Sequence, residues 1–102
     1  MRFNEAYVTN ILVGKKAASI RSNVRGLKVG SVIPFTSNGR RFAMAKIDEI
    51  RPLRFKELSE EDARRDGFET LQELREGLSQ FNKKLEPNSK LFAVRFQVVE
   101  KL

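Results

Sequence analysis

The segment from Gly14 to Arg21 carries the residues of this chain best suited to chemistry. Its sequence is GKKAASIR, so three cations and one hydroxyl lie within one short stretch. A hydroxyl needs a base to become a nucleophile, and a buried lysine flanked by other cations has its pKa lowered toward that role. Lys16 is the candidate base, Ser19 supplies the hydroxyl, and Lys15 and Arg21 would supply the positive field.

The same segment also has an ordinary explanation. Lys15 and Lys16 follow a predicted helix, where each would gain about 0.3 to 1 kcal/mol from the negative end of the helix dipole. Arg21 would then be a solvated strand residue. Residue chemistry alone leaves both interpretations open.

The composition limits the chemistry further. The chain of 102 residues contains no Cys and no His, which excludes the usual zinc sites, disulfides, thiol nucleophiles and imidazole bases. We therefore expect no metal and no cofactor. No apolar run approaches the roughly 20 residues that cross a bilayer, so we expect a cytoplasmic protein without a membrane partner.

The charge is positive and unevenly distributed. Twenty Lys and Arg against thirteen Asp and Glu leave a net charge of +7, which favours anionic partners, with nucleic acid first among them. Residues 1–56 hold twelve basic and three acidic residues, whereas residues 57–102 hold eight basic and ten acidic residues. The cationic surface is therefore predicted to belong to the first half of the chain.

Two elements must position the segment from Gly14 to Arg21, the basic segment. A short helix is predicted over residues 5–13, because Asn4 is a suitable N-cap and Gly14 suits the left-handed position after a helix. The small and β-branched residues of 17–21 predict a short strand. The basic segment thus connects a helix end to a strand.

A hairpin is predicted next. Residues 31–36 form a strand that Pro34 restricts to a sheet edge, because proline has no N–H for the ladder. Asn38-Gly39 is a strong hairpin signal, so a further strand should run over 41–50. Apolar residues on both of its faces suggest a curved or bulged strand.

The second half predicts two helices and a central strand. Ser59 and Thr70 each precede a carboxylate by three residues, as in a capping box. Residues 91–99 alternate apolar and polar side chains at a period of two. Helices mixed with hairpin-linked strands indicate one α+β domain over 1–102, built on a small, mostly antiparallel β-barrel with flanking helices.

The phenylalanines divide into two groups. Those in strand alternation or on a helix stripe are predicted to lie in the core: Phe42, Phe81, Phe92 and Phe96. Those near element ends could instead line a cleft: Phe35, Phe55 and Phe68.

The basic segment also resembles the signature of the ASCH domain family, the small PUA-like barrels named for activating signal cointegrator homology. The matching positions are Ile11, Leu12, Gly14, Lys15, Lys16, Ser19 and Arg21. The likeness continues in order through residues 28–33, 58–68, 71–74 and 94–96. It therefore spans nearly the whole chain and is far more specific than the basic run alone.

The resemblance implies a PUA-like barrel with a cleft beside the basic segment, which across the family is associated with binding RNA or a nucleotide-like ligand. Some small bacterial members are amidohydrolases that remove the acetyl group from N4-acetylcytidine with a Lys, a Thr and a Glu. Carried over, these roles fall on Lys16, Ser19 and Asp66. Two of the three are changed residue types, and Ala17 stands where members usually have Thr.

We therefore expect a domain that binds RNA or a modified nucleoside or nucleotide in a cationic cleft. The expected nucleic-acid contacts are Lys15, Lys16, Arg21, Arg40 and Arg41. The alternative is a small amidohydrolase whose catalytic residues are Lys16, Ser19 and Asp66.

Two further interpretations stay open. Asp66 could be a solvated carboxylate paired with Arg64 or Arg65, and the basic half of the chain could be a docking surface for an acidic protein. The oligomeric state is left undetermined.

Overall fold

The computed structural model describes residues 1 to 102. The strands are β1 Ala18–Arg21, β2 Val32–Ser37, β3 Arg40–Arg54 and β4 Lys90–Lys101. The α-helices are α1 Val8–Leu12, α2 Glu60–Arg65 and α3 Leu71–Phe81. Two 3-10 turns, Glu5–Tyr7 and Phe55–Glu57, precede α1 and follow β3.

The strands form one antiparallel sheet in the order β1-β4-β3-β2. Strand β4 lies between β1 and β3, which confirms the prediction of a central strand over 91–99. Strand β2 lies at an edge, as Pro34 predicts, because a proline lacks the N–H that a second neighbour would require. The α+β class predicted from the sequence is confirmed.

The sheet is not closed, so the predicted barrel is not confirmed. Strands β1 and β2 lie at opposite edges, and segments outside the sheet cover both of them. On the side of β2, Arg2 makes a single bridge with Thr36. At β1, the N–H of Ala17 donates to the carbonyl of Arg65, and the N–H of Ile20 donates to the Asp66 carboxylate. These two N–H groups are therefore already bonded to the end of α2 and are not available to a further strand that would close the sheet.

Strand β3 is longer than the predicted 41–50. Its pairing with β4 continues to Arg54, with Pro52 opposite Phe92, although a proline usually predicts the end of a strand. Register shifts at Met44/Ala45 and between Ile47 and Glu49 interrupt the ladder. These irregularities agree with the bulged strand predicted from its two apolar faces.

Two hydrophobic clusters form the core, and both long strands contribute to each. The first cluster contains Phe3, Ile11, Phe35, Ala43, Ala45, Ile47, Val94 and Phe96. The second contains Ile20, Leu53, Leu58, Ala63, Leu74, Leu91 and Ala93. Strands β3 and β4 therefore hold the N-terminal segment with α1 and the helices α2 and α3 on one common scaffold.

The first helix is shorter than predicted. Asn4 does act as a cap, because its Oδ1 accepts from the N–H of Ala6 at 2.9 Å, but the turn that follows is 3-10 and regular α-helix covers only Val8–Leu12. Gly14 has a φ of 82°, the left-handed conformation predicted at that position. The chain is thereby turned from α1 into the basic segment.

Helix α2 ends against that segment. Ser59 and Asp62 form the predicted capping box, with each side chain accepting from the backbone N–H of the other. At the opposite end, Gly67 adopts a φ of 90°, and a Cβ built there would lie 3.2 Å from Lys16 Cβ. The missing side chain at position 67 therefore allows the end of α2 to approach Lys16 closely.

We expect Gly67→Ala to destabilise the protein more than Gly26→Ala. Both glycines have positive φ, where an L-residue costs about 1 to 2 kcal/mol, but no atom lies within 4 Å of a Cβ at Gly26. The difference in the free energy of unfolding, measured in urea, would report the contact with Lys16. Equal losses in the two variants would contradict this account.

Candidate functional site

A cavity of about 610 Å³ lies beside β1. Its lining comes from the N-terminal segment, the basic segment, β1, the β2–β3 turn, the end of α2, and α3 with the loop after it. Residues of both hydrophobic clusters, such as Phe3 and Leu91, contribute to the walls. The cavity therefore lies where the two halves of the core meet.

Lys16 and Asp66 form a buried ion pair in this cavity. Their side chains are 4% and 5% exposed, and Lys16 Nζ donates to Asp66 Oδ1. Lys16 Nζ also donates to the backbone carbonyl of Asp66 at 3.1 Å, while Asp66 Oδ2 accepts from the N–H of Ile20 at 3.2 Å. One carboxylate thus joins the basic segment, β1 and the end of α2.

Burial shifts the protonation equilibria of both partners. Burial lowers the pKa of the Lys16 amine, and the Asp66 charge and hydrogen bond oppose this effect. Burial likewise raises the pKa of the Asp66 carboxyl, and Lys16 opposes that shift. Burial has these effects because desolvation disfavours both charges. The Lys16 amine therefore binds its proton less tightly than usual, and the Asp66 carboxylate binds a proton more tightly than usual.

Ser19 and Arg21 lie on the same wall of the cavity. The Ser19 side chain is 6% exposed, and its Oγ accepts from Arg21 Nε at 2.9 Å. Arg21 Nη2 donates to the carbonyl of Arg2 at 2.7 Å, and its guanidinium carbon lies 4.7 Å from the centre of the Phe3 ring. A guanidinium beside the Ser19 hydroxyl favours negative charge on that oxygen.

Aromatic rings form another part of the lining. The Tyr7 ring lies 5.0 Å from Lys16 Nζ and packs edge-on against Phe68, with 6.5 Å between ring centres. Burial and the charge of Asp66 raise the pKa of the Tyr7 hydroxyl, so the phenol is kept in its protonated form. Phe68 is thus the cavity residue among the three aromatics left open by the sequence, since Phe35 is fully buried and Phe55 packs against the second cluster.

Phe81 was predicted to lie in the core, and this is wrong. Its side chain is 69% exposed, and it lines the cavity at the end of α3. The apolar spacing on α3 predicts which residues share a face but not how far the core extends along the helix. The last turn of α3 lies beyond the part of the core that would cover it. Gly77 has a packing role one turn earlier, because a Cβ there would lie 3.1 Å from the Phe68 ring.

The structure brings together four of the residues singled out in the sequence, namely Lys16, Ser19, Arg21 and Asp66. The remaining three cations, Lys15, Arg40 and Arg41, are exposed and do not line the cavity. The turn residues Asn38 and Gly39, which precede these two arginines, do line it. Sequence reasoning missed Arg2 and Tyr7, since no motif distinguishes a terminal arginine or a helix tyrosine.

Asp66 is not the solvated carboxylate that one interpretation allowed. Arg65 pairs instead with Glu61, and Asp66 is buried against Lys16. The aspartate arm, although one methylene shorter than glutamate, reaches the amine. No hydrogen bond joins Lys16 Nζ to Ser19 Oγ.

Neither a metal site nor a membrane-crossing helix is found. No group of three or more His, Cys, Asp or Glu side chains is arranged to hold a metal ion. None of the helices has both the length and the apolar character required to cross a bilayer.

Comparison with known proteins agrees with this architecture. The sequence profile of the ASCH domain matches residues 1–100. The chain belongs to the ASCH domain family. The family is PUA-like, and the resemblance carried by the basic segment is thereby confirmed. No curated protein matches the sequence significantly.

Solved structures support the same fold. The ASCH domain of Lactobacillus crispatus JV V101 superimposes with a TM-score of 0.82 at 19% identity, covering 93% of this chain and 71% of that chain. A protein from Enterococcus faecalis V583 gives 0.83 at 19% identity, covering 94% and 68%. A mutant ASCH protein from Zymomonas mobilis gives 0.68 at 16% identity, covering 100% and 72%. At these identities the likeness establishes the fold of this ASCH domain.

We expect Asp66→Asn to lower the Lys16 pKa further below 10.5, its ordinary value. The carboxylate is the group that raises this pKa, so its removal leaves burial and the Arg21 charge, which both lower it. NMR titration of the Lys16 side chain would measure the shift. Glu61→Gln, which removes an exposed carboxylate paired with Arg65, is the control and should leave Lys16 unchanged.

The same change has a defined effect on stability. A lysine whose pKa is lower in the folded than in the unfolded protein makes the free energy of unfolding increase as pH rises toward 10.5. Asp66→Asn leaves this amine buried without its partner and should be less stable than the parent protein at neutral pH, but its lower Lys16 pKa should reduce the deficit as pH rises to 10. A deficit that stays constant or grows over that range, or an unchanged Lys16 titration, would contradict the assigned pairing.

Proposed function

We propose that this protein binds a nucleoside or nucleotide, either free or as part of an RNA, in the cavity built around Lys16 and Asp66. The observation that carries the proposal is a buried ion pair that lines a cavity of about 610 Å³. This volume is within the roughly 300 to 1,000 Å³ typical of small-molecule sites. Ionisable groups with burial-shifted pKa values in a cleft are characteristic of functional sites.

The chemistry of the walls supports a nucleobase-containing ligand. The polar groups at the centre, Lys16, Asp66 and Ser19, offer both donors and acceptors to a base or ribose. The rings of Tyr7 and Phe68 offer apolar surface of the kind on which bases pack. The cavity is also cationic, which favours a ligand with negative charge.

The exposed cations extend the proposal to RNA. Lys15, Arg40 and Arg41 do not line the cavity, so they would contact only a ligand that extends beyond it. Their charges would bind phosphates of a chain whose terminal or extruded nucleotide occupies the cavity. A free nucleoside would not reach them.

The first test is a calorimetric titration with cytidine, adenosine, their 5′-monophosphates and a short single-stranded RNA at low salt. We expect at least one probe to bind, and Lys16→Met to weaken it about 10- to 100-fold, the loss expected for one hydrogen bond to a charged group. RNA affinity should fall with salt at a log–log slope of several units.

Two variants control this test. Lys56→Met removes an exposed lysine that does not line the cavity and should bind like the parent protein. The double variant Lys16→Met/Asp66→Asn avoids leaving an unpaired buried carboxylate, which by itself can unfold the protein. No binding of any probe at low salt would reject the proposal, and capture of an acidic protein instead would favour the docking interpretation.

A second candidate function is hydrolysis of an acylated cytidine such as N4-acetylcytidine. The observation that favours it is the burial of Lys16, Ser19 and Asp66 in one cavity, with the Lys16 pKa lowered by burial. With the proton of the pair held by the Asp66 carboxyl, Ser19 Oγ would attack the amide carbonyl carbon and pass its own proton to the neutral Lys16 amine. The C–N bond would then break, with Lys16 returning the proton to the leaving amine, and water would hydrolyse the acyl-serine.

This mechanism predicts release of cytidine from N4-acetylcytidine, measured by chromatography. Lys16→Ala and Ser19→Ala should each abolish it, whereas Ser19→Thr, which keeps the hydroxyl, should retain measurable turnover. Product formed by Lys16→Ala at the parental rate would remove the mechanism. Binding of N4-acetylcytidine without product would leave the ligand-binding proposal as the function.

A further inference from the structure

The cavity has two chemically different ends. Near the N-terminal segment and the β2–β3 turn its lining is polar, and includes Arg2, Arg21, Ser22 and Asn38. Near α3 and the following loop its lining is mainly apolar, and includes Phe68, Leu78, Phe81 and Leu85. The Arg2–Arg21 contact and the bridge between Arg2 and Thr36 hold the groups of the polar end together.

The charges that line the cavity do not balance. Three cations, Arg2, Lys16 and Arg21, face one carboxylate, Asp66. Both oxygens of that carboxylate are engaged, Oδ1 by Lys16 and Oδ2 by the N–H of Ile20. Arg2 and Arg21 form no ion pair within the protein.

Arg21 is held in place by neutral groups alone. Its Nε donates to Ser19 Oγ, its Nη2 donates to the Arg2 carbonyl, and its face packs on the Phe3 ring. A guanidinium has five N–H donors, and only two of these bonds are made within the protein. The Asp66 charge acts on Arg21 through space but is bonded to Lys16. A half-buried cation that shares its counter-charge in this way is costly, so the free protein presents an oriented charge that an anionic ligand would neutralise.

We propose that the Arg2–Arg21 end of the cavity is a phosphate subsite, so that the ligand is a nucleotide in preference to a nucleoside. This inference rests on the proposed function of the cavity. A planar guanidinium matches phosphate oxygens in a two-point contact, and Arg21 is already oriented by its contacts with Ser19 and Phe3. With the phosphate at this end, the base lies toward the apolar end, against Phe68 and Phe81.

The test compares each nucleoside with its 5′- and 3′-monophosphates by calorimetry at constant ionic strength. We expect a monophosphate to bind about 10-fold or more tightly than its nucleoside, as a charge-assisted contact provides. Arg2→Gln should reduce that preference without disturbing Arg21, which bonds only the backbone carbonyl of residue 2. Arg21→Gln should remove it, and inorganic phosphate should compete with the monophosphate in the parent protein.

Control variants separate charge at this end from net charge. Arg64→Gln lowers the total charge by the same amount at an exposed position that does not line the cavity, and should keep the preference. Arg21→Lys should retain part of it, because it keeps the charge but loses the planar fork. Melting temperatures would verify that the variants fold.

The outcomes distinguish this inference from the proposed function. Equal affinity for nucleoside and monophosphate would overturn the phosphate subsite and leave the proposed function standing. No binding of either would overturn both. A dinucleoside with an internal phosphodiester identifies the source of the phosphate: tight binding indicates an RNA chain, whereas binding of the monoesters alone indicates a free nucleotide or a chain end.

Discussion

A buried contact between Lys16 and Asp66 joins two segments of the chain that are separated by 50 residues. Two charges removed from water are tolerated only when they are paired and hydrogen-bonded, and removal of one partner typically costs about 3 to 5 kcal/mol. Here Asp66 also accepts from the backbone of Ile20, and its carbonyl accepts from Lys16. The pair therefore fixes the position of α2 relative to β1. If either element were displaced, each charge would be buried without its partner.

Several local features follow from that contact. Gly14 turns the chain out of α1 in a left-handed conformation, and Gly67 provides the space in which the end of α2 meets Lys16. The same end of α2 accepts hydrogen bonds from the N–H groups of Ala17 and Ile20 at β1. A carboxylate that serves the site therefore also helps to cover a strand edge that would otherwise be available for pairing.

The cavity results from how the two core clusters share one sheet. Strands β3 and β4 are long enough to support the N-terminal segment and α1 at one end and the helices α2 and α3 at the other. Residues from both groups meet around the ion pair, so the cationic end and the apolar end of the cavity belong to different parts of the fold. This division is the physical basis for our proposal that the ligand carries an anionic group at one end and an apolar surface at the other.

Much of the local structure could be predicted from the sequence because it depends on neighbouring residues. The Ser59 cap, the hairpin at Asn38-Gly39 and the alternation over 91–99 all act within a few positions. The basic segment and its family resemblance also indicate Lys16, Ser19 and Asp66 from the sequence. The continuation of β3 through Pro52 and the exposure of Phe81 could not be predicted in this way, because the first depends on pairing with β4 and the second on how far the core extends along α3.

The sequence by itself thus determined the α+β class, the family, the absence of thiol and imidazole chemistry, and the residue types that the site would use. Only the tertiary structure decided that Asp66 is buried against Lys16 and not solvated beside Arg65. It also decided that Arg21 faces the cavity while Arg40 and Arg41 do not line it, and that the sheet remains unclosed. The reason is that periodicity and capping are local, whereas burial and the pairing of charges depend on which distant segments the fold brings into contact.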